Sequence, residues 1–206
     1  IISGHAMQEL DDEALGWFSR RLPWGSYGML CRASLGAPNL GVALKRWCRH
    51  HRLLTDDITL SLDVTKTAAT LTLTPHRPLG EMREFCLVTL LRYVLGYACW
   101  AIDSRIPLNE SRFPFPAPAH ADAYPLMFPG PVRFEAEFAG LSFDARYLDL
   151  PLRRDEAALR TMLQRALPLT VLQYRRDRLL VEGVRRFLRE PASGAATAER
   201  VAEHLH

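Results

Sequence analysis

The stretch ITLSLDVTKTAATLTLT, Ile58 to Thr74, decides the fold. Ile58, Leu60, Leu62 and Val64 alternate with Thr59, Ser61, Asp63 and Thr65, and Ala69, Leu71 and Leu73 continue the alternation in AATLTLT. A side-chain period of two collects the apolar members on one face. Two such runs joined by a polar turn near Lys66 therefore predict an antiparallel hairpin with one wet and one dry face. The dry face needs a cover, and the segments on either side of the hairpin supply it.

Upstream, the pattern has a helical period. Asp11 is placed to cap a short helix through DEALGWFSRRL, which Pro23 and Gly25 break. Ser26 opens a second helix, YGMLCRASL, closed by Gly36. Asn39 starts a third, in which Leu40, Ala43, Leu44, Trp47, Cys48, His51 and Leu54 keep helical phase for four turns. Downstream, a long apolar helix runs from about Leu79 to Ile102. Next come LNESRFPF, a short helical piece HADAYPLMF and an alternating strand PVRFEAEF. On that strand Arg133, Glu135 and Glu137 share a solvated face, and Ala139 and Gly140 turn the chain into LSFD. Helices and hairpins segregated in this way predict an α+β fold, a mainly antiparallel sheet packed against helices and followed by a C-terminal linker helix.

The C-terminal quarter has a different character. Asp155 opens a helix with Leu159, Met162, Leu163 and Ala166 on its apolar stripe, ended by Pro168. A further helix spans Thr170 to Arg189, and PASG (Pro191–Gly194) breaks the chain. In TAERVAEHLH, Ala198, Val201, Ala202 and Leu205 fall on one helical face behind an N-cap at Thr197; alone, so short a helix is marginal in water. These breaks divide the chain into a globular unit at 1–169, a basic linker helix at 170–190, and a hinge with the first helix of a further unit at 191–206.

Composition narrows the class. With 206 residues, 48% of them hydrophobic, the chain can bury one full core. The net charge of +3 is too small to argue for nucleic acid or membrane, but all of it resides in 170–190, where six arginines face Asp177, Glu182 and Glu190. Cys31, Cys48, Cys86 and Cys99 form no CxxC pair and lie among apolar residues of predicted helices, as buried thiols of a reducing compartment do. The N-terminus has neither a signal-peptide pattern nor an initiator Met, which suggests an excerpt. FCLVTLLRYVLGYACWAI (Phe85–Ile102) approaches the length of a bilayer span, but the central Arg92 favours a buried core helix and no membrane partner.

The ordered set of Gly25 with Tyr27 and Gly28, the APNLGVAL helix start, the HRLLTDDITLSL join, the series Tyr124, Phe128, Pro131, Val132, Arg133 and Phe134, and LSFDARYLDLPL resembles the N-terminal effector domain of AraC/XylS-family transcriptional regulators, the arabinose-binding-like group. The resemblance covers roughly residues 10 to 165. It implies a cytoplasmic regulator whose sensing and dimerising half is this chain, an unknown small-molecule effector, and DNA contact through a C-terminal domain. In that setting TAERVAEHLH looks like the first helix of the first helix-turn-helix motif.

An effector pocket should be concave, mostly apolar and furnished with a few polar groups. On the long helix Phe85, Thr89, Arg92, Gly96 and Cys99 form a stripe flanked by Tyr93, Tyr97 and Trp100. Arg92 could clamp a carboxylate while Gly96 leaves room for the ligand; the plain alternative is a stripe facing water. Trp47 and His51, one turn apart, and Tyr27 are the other candidates, against ordinary packing with His51 bonded to a carbonyl and the Tyr27 hydroxyl at the surface. The ligand-binding set is thus Tyr27, Trp47, His51, Thr89, Arg92, Tyr93 and Gly96. Arg92→Ala and Trp47→Ala are expected to abolish a ligand response while leaving the fold intact. No spaced metal-ligand set, nucleophile elbow, HExxH or phosphate-binding Gly loop occurs, so no cofactor, metal or catalytic residue is assigned. A ligand-free interaction module and a small-molecule enzyme are the competing classes.

Overall fold

A computed structural model describes residues 2–164, 174, 176–189 and 197–205. The hairpin stands where the alternation puts it. Strands β1 (Ile58–Val64) and β2 (Ala68–Pro75) pair antiparallel with Leu60 opposite Leu73 and Leu62 opposite Leu71. Ile58, Leu60, Ala69, Leu71 and Leu73 are buried, and Asp63 and Lys66 reach water. With β3 (Leu108–Arg112), β4 (Val132–Arg133) and β5 (Ala139–Asp144) they form a five-stranded sheet in the order β1-β2-β5-β3-β4. Every pairing is antiparallel except β3 with β4.

The helices cover the dry face as expected of an α+β fold. After α1 (Ile2–Glu9) come α2 (Ser26–Leu35) and α3 (Leu40–His51); Asn39 Oδ1 caps α3 by accepting from the Val42 amide at 2.9 Å. α2 packs on α3, and α3 on β1. α4 (Arg83–Ile102) packs against β5 and ends at Asp103, whose φ of 52° gives a left-handed cap. The segment Gly80–Ile102 is long and apolar enough to cross a membrane, but 72% of its most apolar window is buried inside the molecule, so α4 serves as a core helix. Beyond β5 lie α6 (Glu156–Leu163), capped by Asp155 Oδ1, then α7 (Arg178–Arg189) and α8 (Ala198–Leu205); α5 (Tyr124–Met127) precedes β4.

Several expectations need correction. The segment DEALGWFSRRL is a loop, because the buried Asp12 carboxylate accepts from the amides of Ala14, Gly16 and Leu22 at 2.9–3.0 Å and winds the chain around itself. Leu15 and Gly16 take left-handed φ values of 48° and 81°; side chain-to-backbone bonding has outcompeted the helix. PVRFEAEF is a strand only at β4. Glu135 turns left-handed at φ 53°, while its amide and that of Ala136 bond the Phe115 and Phe113 carbonyls, so Glu135 and Glu137 share no strand face. Ala139 and Gly140 are no turn but the start of β5, where a side chain at 140 would meet the Leu71 carbonyl at 2.6 Å. The described basic helix begins at Arg178, where Asp177 Oδ1 accepts from the Leu180 amide, while the expected start at Thr170 lies outside the described residues. Ala166, Pro168, residues 170–173 and the PASG break lie outside the described residues. In the final segment Thr197 Oγ1 accepts from the Arg200 amide at 3.4 Å, as an N-cap does.

Candidate functional site

Two cavities lie along α4 and share Tyr93 as a wall. The inner one, about 40 Å³, lies between α2, α3, α4 and the loop wound around Asp12. Its walls are mainly apolar, with Leu22, Leu30, Leu54, Leu90 and Val94, yet three of its lining residues carry a buried polar atom that makes no hydrogen bond among the described residues: Trp17 Nε1, Tyr27 Oη and His51 Nδ1. Buried polar groups are nearly always paired, so three orphans around one void mark a place where something polar belongs. The space is about that of one water molecule or one polar head group. His51 is 2% exposed, and burial lowers its pKa to about 4, so the ring is neutral at pH 7. Glu13, at the rim, spends its carboxylate on the amides of Gly25 and Tyr27, and burial raises its pKa.

The outer cavity is a groove of about 480 Å³ between α1, α4 and α5. Met7, Phe85, Val88 and Met127 make it greasy. Its charges sit at two levels of α4. Toward the helix start, Glu84 Oε1 accepts from Tyr124 Oη at 2.6 Å and contacts His120 Nε2 at 2.7 Å, with Glu81 nearby on the groove wall. Two turns further, about 12 Å along the axis, Arg92 is 6% exposed and donates from Nη1 to the Met127 carbonyl at 2.9 Å. Tyr93 lines both cavities, and Trp17 from the inner one packs edge-on against Phe85 from the outer, ring centroids 5.2 Å apart.

A mostly apolar groove and a small void with buried polar atoms beside it thus share the Tyr93 wall of α4. Over residues 2–152 the chain matches the family model described as the arabinose-binding domain of AraC transcription regulator, N-terminal. The chain belongs to this family. It is 28% identical over 198 residues to the ornithine utilization regulator of Pseudomonas aeruginosa, an alignment covering 95% of this chain and 58% of the relative. The chain thus spans less than two thirds of that relative's length.

Set against the arabinose-binding-type domain, the sequence-selected residues fall into three groups. Tyr27, Trp47, His51 and Tyr93 line the inner cavity, and Thr89, Arg92 and Tyr93 line the outer groove. Gly96 lines neither; it is buried in α4 one turn beyond Arg92. The Tyr27 hydroxyl is inside rather than at the surface, beside the Cys31 thiol, and Trp47 packs between the Tyr27 and Tyr97 rings at centroid distances of 5.7 and 4.7 Å. Trp47 is 2% exposed, so Trp47→Ala would also cost about 3–5 kcal/mol of stability, and a lost ligand response in that variant would not by itself report on the pocket. Glu13, Trp17, Glu84, His120 and Tyr124 were not singled out from sequence as site residues. Trp17 was hidden by the false helix, and the Glu84 cluster joins positions 36 and 40 residues apart that no local spacing links. Burial also raises the Cys48, Cys86 and Cys99 pKa values, to about 11, 12 and 11, so these thiols are poor nucleophiles.

Proposed function

We propose that this chain is the effector-sensing part of a transcription regulator and that the groove and the inner void together are its effector site. The observation that carries this reading is the trio of buried polar atoms on Trp17, Tyr27 and His51, unpartnered among the described residues, at a small void that shares Tyr93 with an apolar groove. In this reading a ligand lies along the groove with a polar head in the void. Arg92 meets an anionic end, and Glu81 and Glu84 meet a cationic one. A small zwitterion with well-separated charges, such as the ornithine in the relative's name, fits that arrangement better than a sugar, which would need many hydrogen-bond partners on a wall that offers few.

Binding then favours one arrangement of the sensing unit, residues 1–169, over another, and the basic segment 170–190 passes that preference to a DNA-binding unit that begins at the hinge and helix of 191–206. The regulator works as a cytoplasmic homodimer in this scheme, because paired DNA half-sites favour two-fold proteins.

Tyr27→Phe tests the site cleanly. It deletes an unsatisfied buried hydroxyl, so the ligand-free protein should melt at an unchanged or higher temperature. Thermal shift against ornithine and a library of small amines, acids and sugars should give a stabilising hit in the wild type. That hit should be lost in Tyr27→Phe and in Arg92→Ala. A hit unaffected by both changes would move the ligand elsewhere, and no hit at all would favour an interaction module.

A further inference from the structure

At the opposite end of α4 from the groove, ten residues or about 15 Å past Arg92, a second cleft has the reverse chemistry. Its volume is about 380 Å³, and among the described residues its lining is Arg153, Arg154, Arg176, Arg178 and one carboxylate, Asp103. Asp103 is already held by Arg154 Nη2 at 2.5 Å, and Glu182 approaches Arg178 only to 4.0 Å. Arg178 is 7% exposed; its Nη1 donates to the Ile102 and Pro151 carbonyls at 3.0 and 3.3 Å, which fixes the guanidinium in place. Arg154 Nε is fixed likewise on the Trp100 carbonyl at 3.0 Å. Arg153 and Arg176 are exposed, and no ion pair or side-chain hydrogen bond engages them among the described residues.

Carbonyls at the end of a helix offset part of this charge, but they leave two guanidiniums unanswered beside two others that are rigidly held. The backbone keeps them together: the Arg153 amide bonds the Ala101 carbonyl at 2.7 Å, the Arg105 amide bonds the Arg176 carbonyl at 2.7 Å, and the Arg178 amide bonds Ser104 Oγ at 3.0 Å. Like charges gathered in a concavity focus the field and attract a compact multivalent anion. Planar guanidiniums match the oxygen geometry of phosphoryl groups in particular. A DNA backbone is the poorer fit, since a duplex offers its phosphates along the outside of a rod rather than into a cleft of this size.

We infer that this arginine cleft binds a diphosphate group, free or carried by a small metabolite, at the junction where α4 meets the start of α7. The site is separate from the effector groove and does not depend on that reading.

Calorimetric titration of the 206-residue chain with inorganic pyrophosphate at about 150 mM salt should show saturable one-to-one binding. A nucleoside diphosphate in a parallel titration tells whether a carried diphosphate binds as well as the free anion. Arg153→Ala/Arg176→Ala alters two exposed side chains without bonds to lose, so it should fold normally and weaken binding by about tenfold or more. The charge-matched control Arg20→Ala/Arg133→Ala should bind as the wild type does. Four results would overturn the site: no binding of either diphosphate, equal loss in the control, equal binding of sulfate, or displacement of pyrophosphate by a short random-sequence duplex.

Discussion

His51 shows what one residue's surroundings do to its chemistry. Folding takes its ring out of water, gives Nδ1 no partner and lowers the pKa from 6.5 to about 4. The unfolded chain therefore binds a proton more readily, and stability rises with pH between about 4 and 6.5. The contribution is complete above pH 6.5 and amounts to about 3 kcal/mol. Glu13, in the same cavity with a raised pKa, works in the opposite sense at acid pH, so the clean comparison is with His51→Phe. Urea unfolding followed from pH 7 to pH 4.5 should show a loss in the wild type that is mostly absent in His51→Phe; parallel curves would mean that Nδ1 is satisfied in solution. Backbone conformation sets an equally local constraint at Gly130. Its φ is 141°, and a Cβ there would sit 2.4 Å from the Leu108 carbonyl oxygen. Gly130→Ala should cost about 2–3 kcal/mol or more, against about 1 kcal/mol for Gly80→Ala, where φ is 57° and the space is open. The two midpoints in one denaturant series check the contrast.

Among the elements, the loop from Asp12 to Leu22 depends most on a single side chain. Asp12 is buried and answers three backbone amides, one of them ten residues away. Asp12→Ala leaves those donors without an acceptor and should destabilise by about 3 kcal/mol or more. Because Trp17, Phe18 and Leu22 reach the inner cavity from this loop, it should also quench any ligand-induced thermal shift. The same loop explains what the sequence could and could not convey. β1, β2, α3 and α4 were legible because a period of two or of 3.6 is a local signal, and the caps at Asn39 and Asp155 act on amides three residues on. The first loop was not, because Ala14, Trp17, Phe18 and Leu22 in DEALGWFSRRL keep a helical spacing that the Asp12 carboxylate overrides. β4 was overread because its burial alternates, exposed at Arg133, Glu135 and Glu137, while the left-handed Glu135 stops the ladder. Of the residues named from sequence, those projecting from correctly placed helices, Tyr27, Trp47, His51 and Arg92 among them, line one or other cavity. The partners that give the groove its polarity, Glu84 with His120 and Tyr124, depend on a tertiary contact between α4 and the stretch from His120 into α5.

For the whole molecule, α4 is the common strut. The groove lies along its first half, the arginine cleft caps its end, and the start of α7 is bonded to that end through Arg178 and Ser104. A shift of α4 caused at the groove would therefore reach α7 through a fixed contact rather than through a slack chain, whereas α8 packs chiefly on α7. Arg178→Met keeps the apolar stem that packs beneath the guanidinium but removes the bonds to the Ile102 and Pro151 carbonyls, a loss of about 2 kcal/mol confined to the docking of α7. Hydrogen exchange should then speed up at the amides of α7, while those of β1, β2 and α3 keep their wild-type protection. If α7 stays protected, its apolar contacts through Leu179 and Phe187 hold it instead, and the strut would end at the sheet-covering half of α4 without reaching α7.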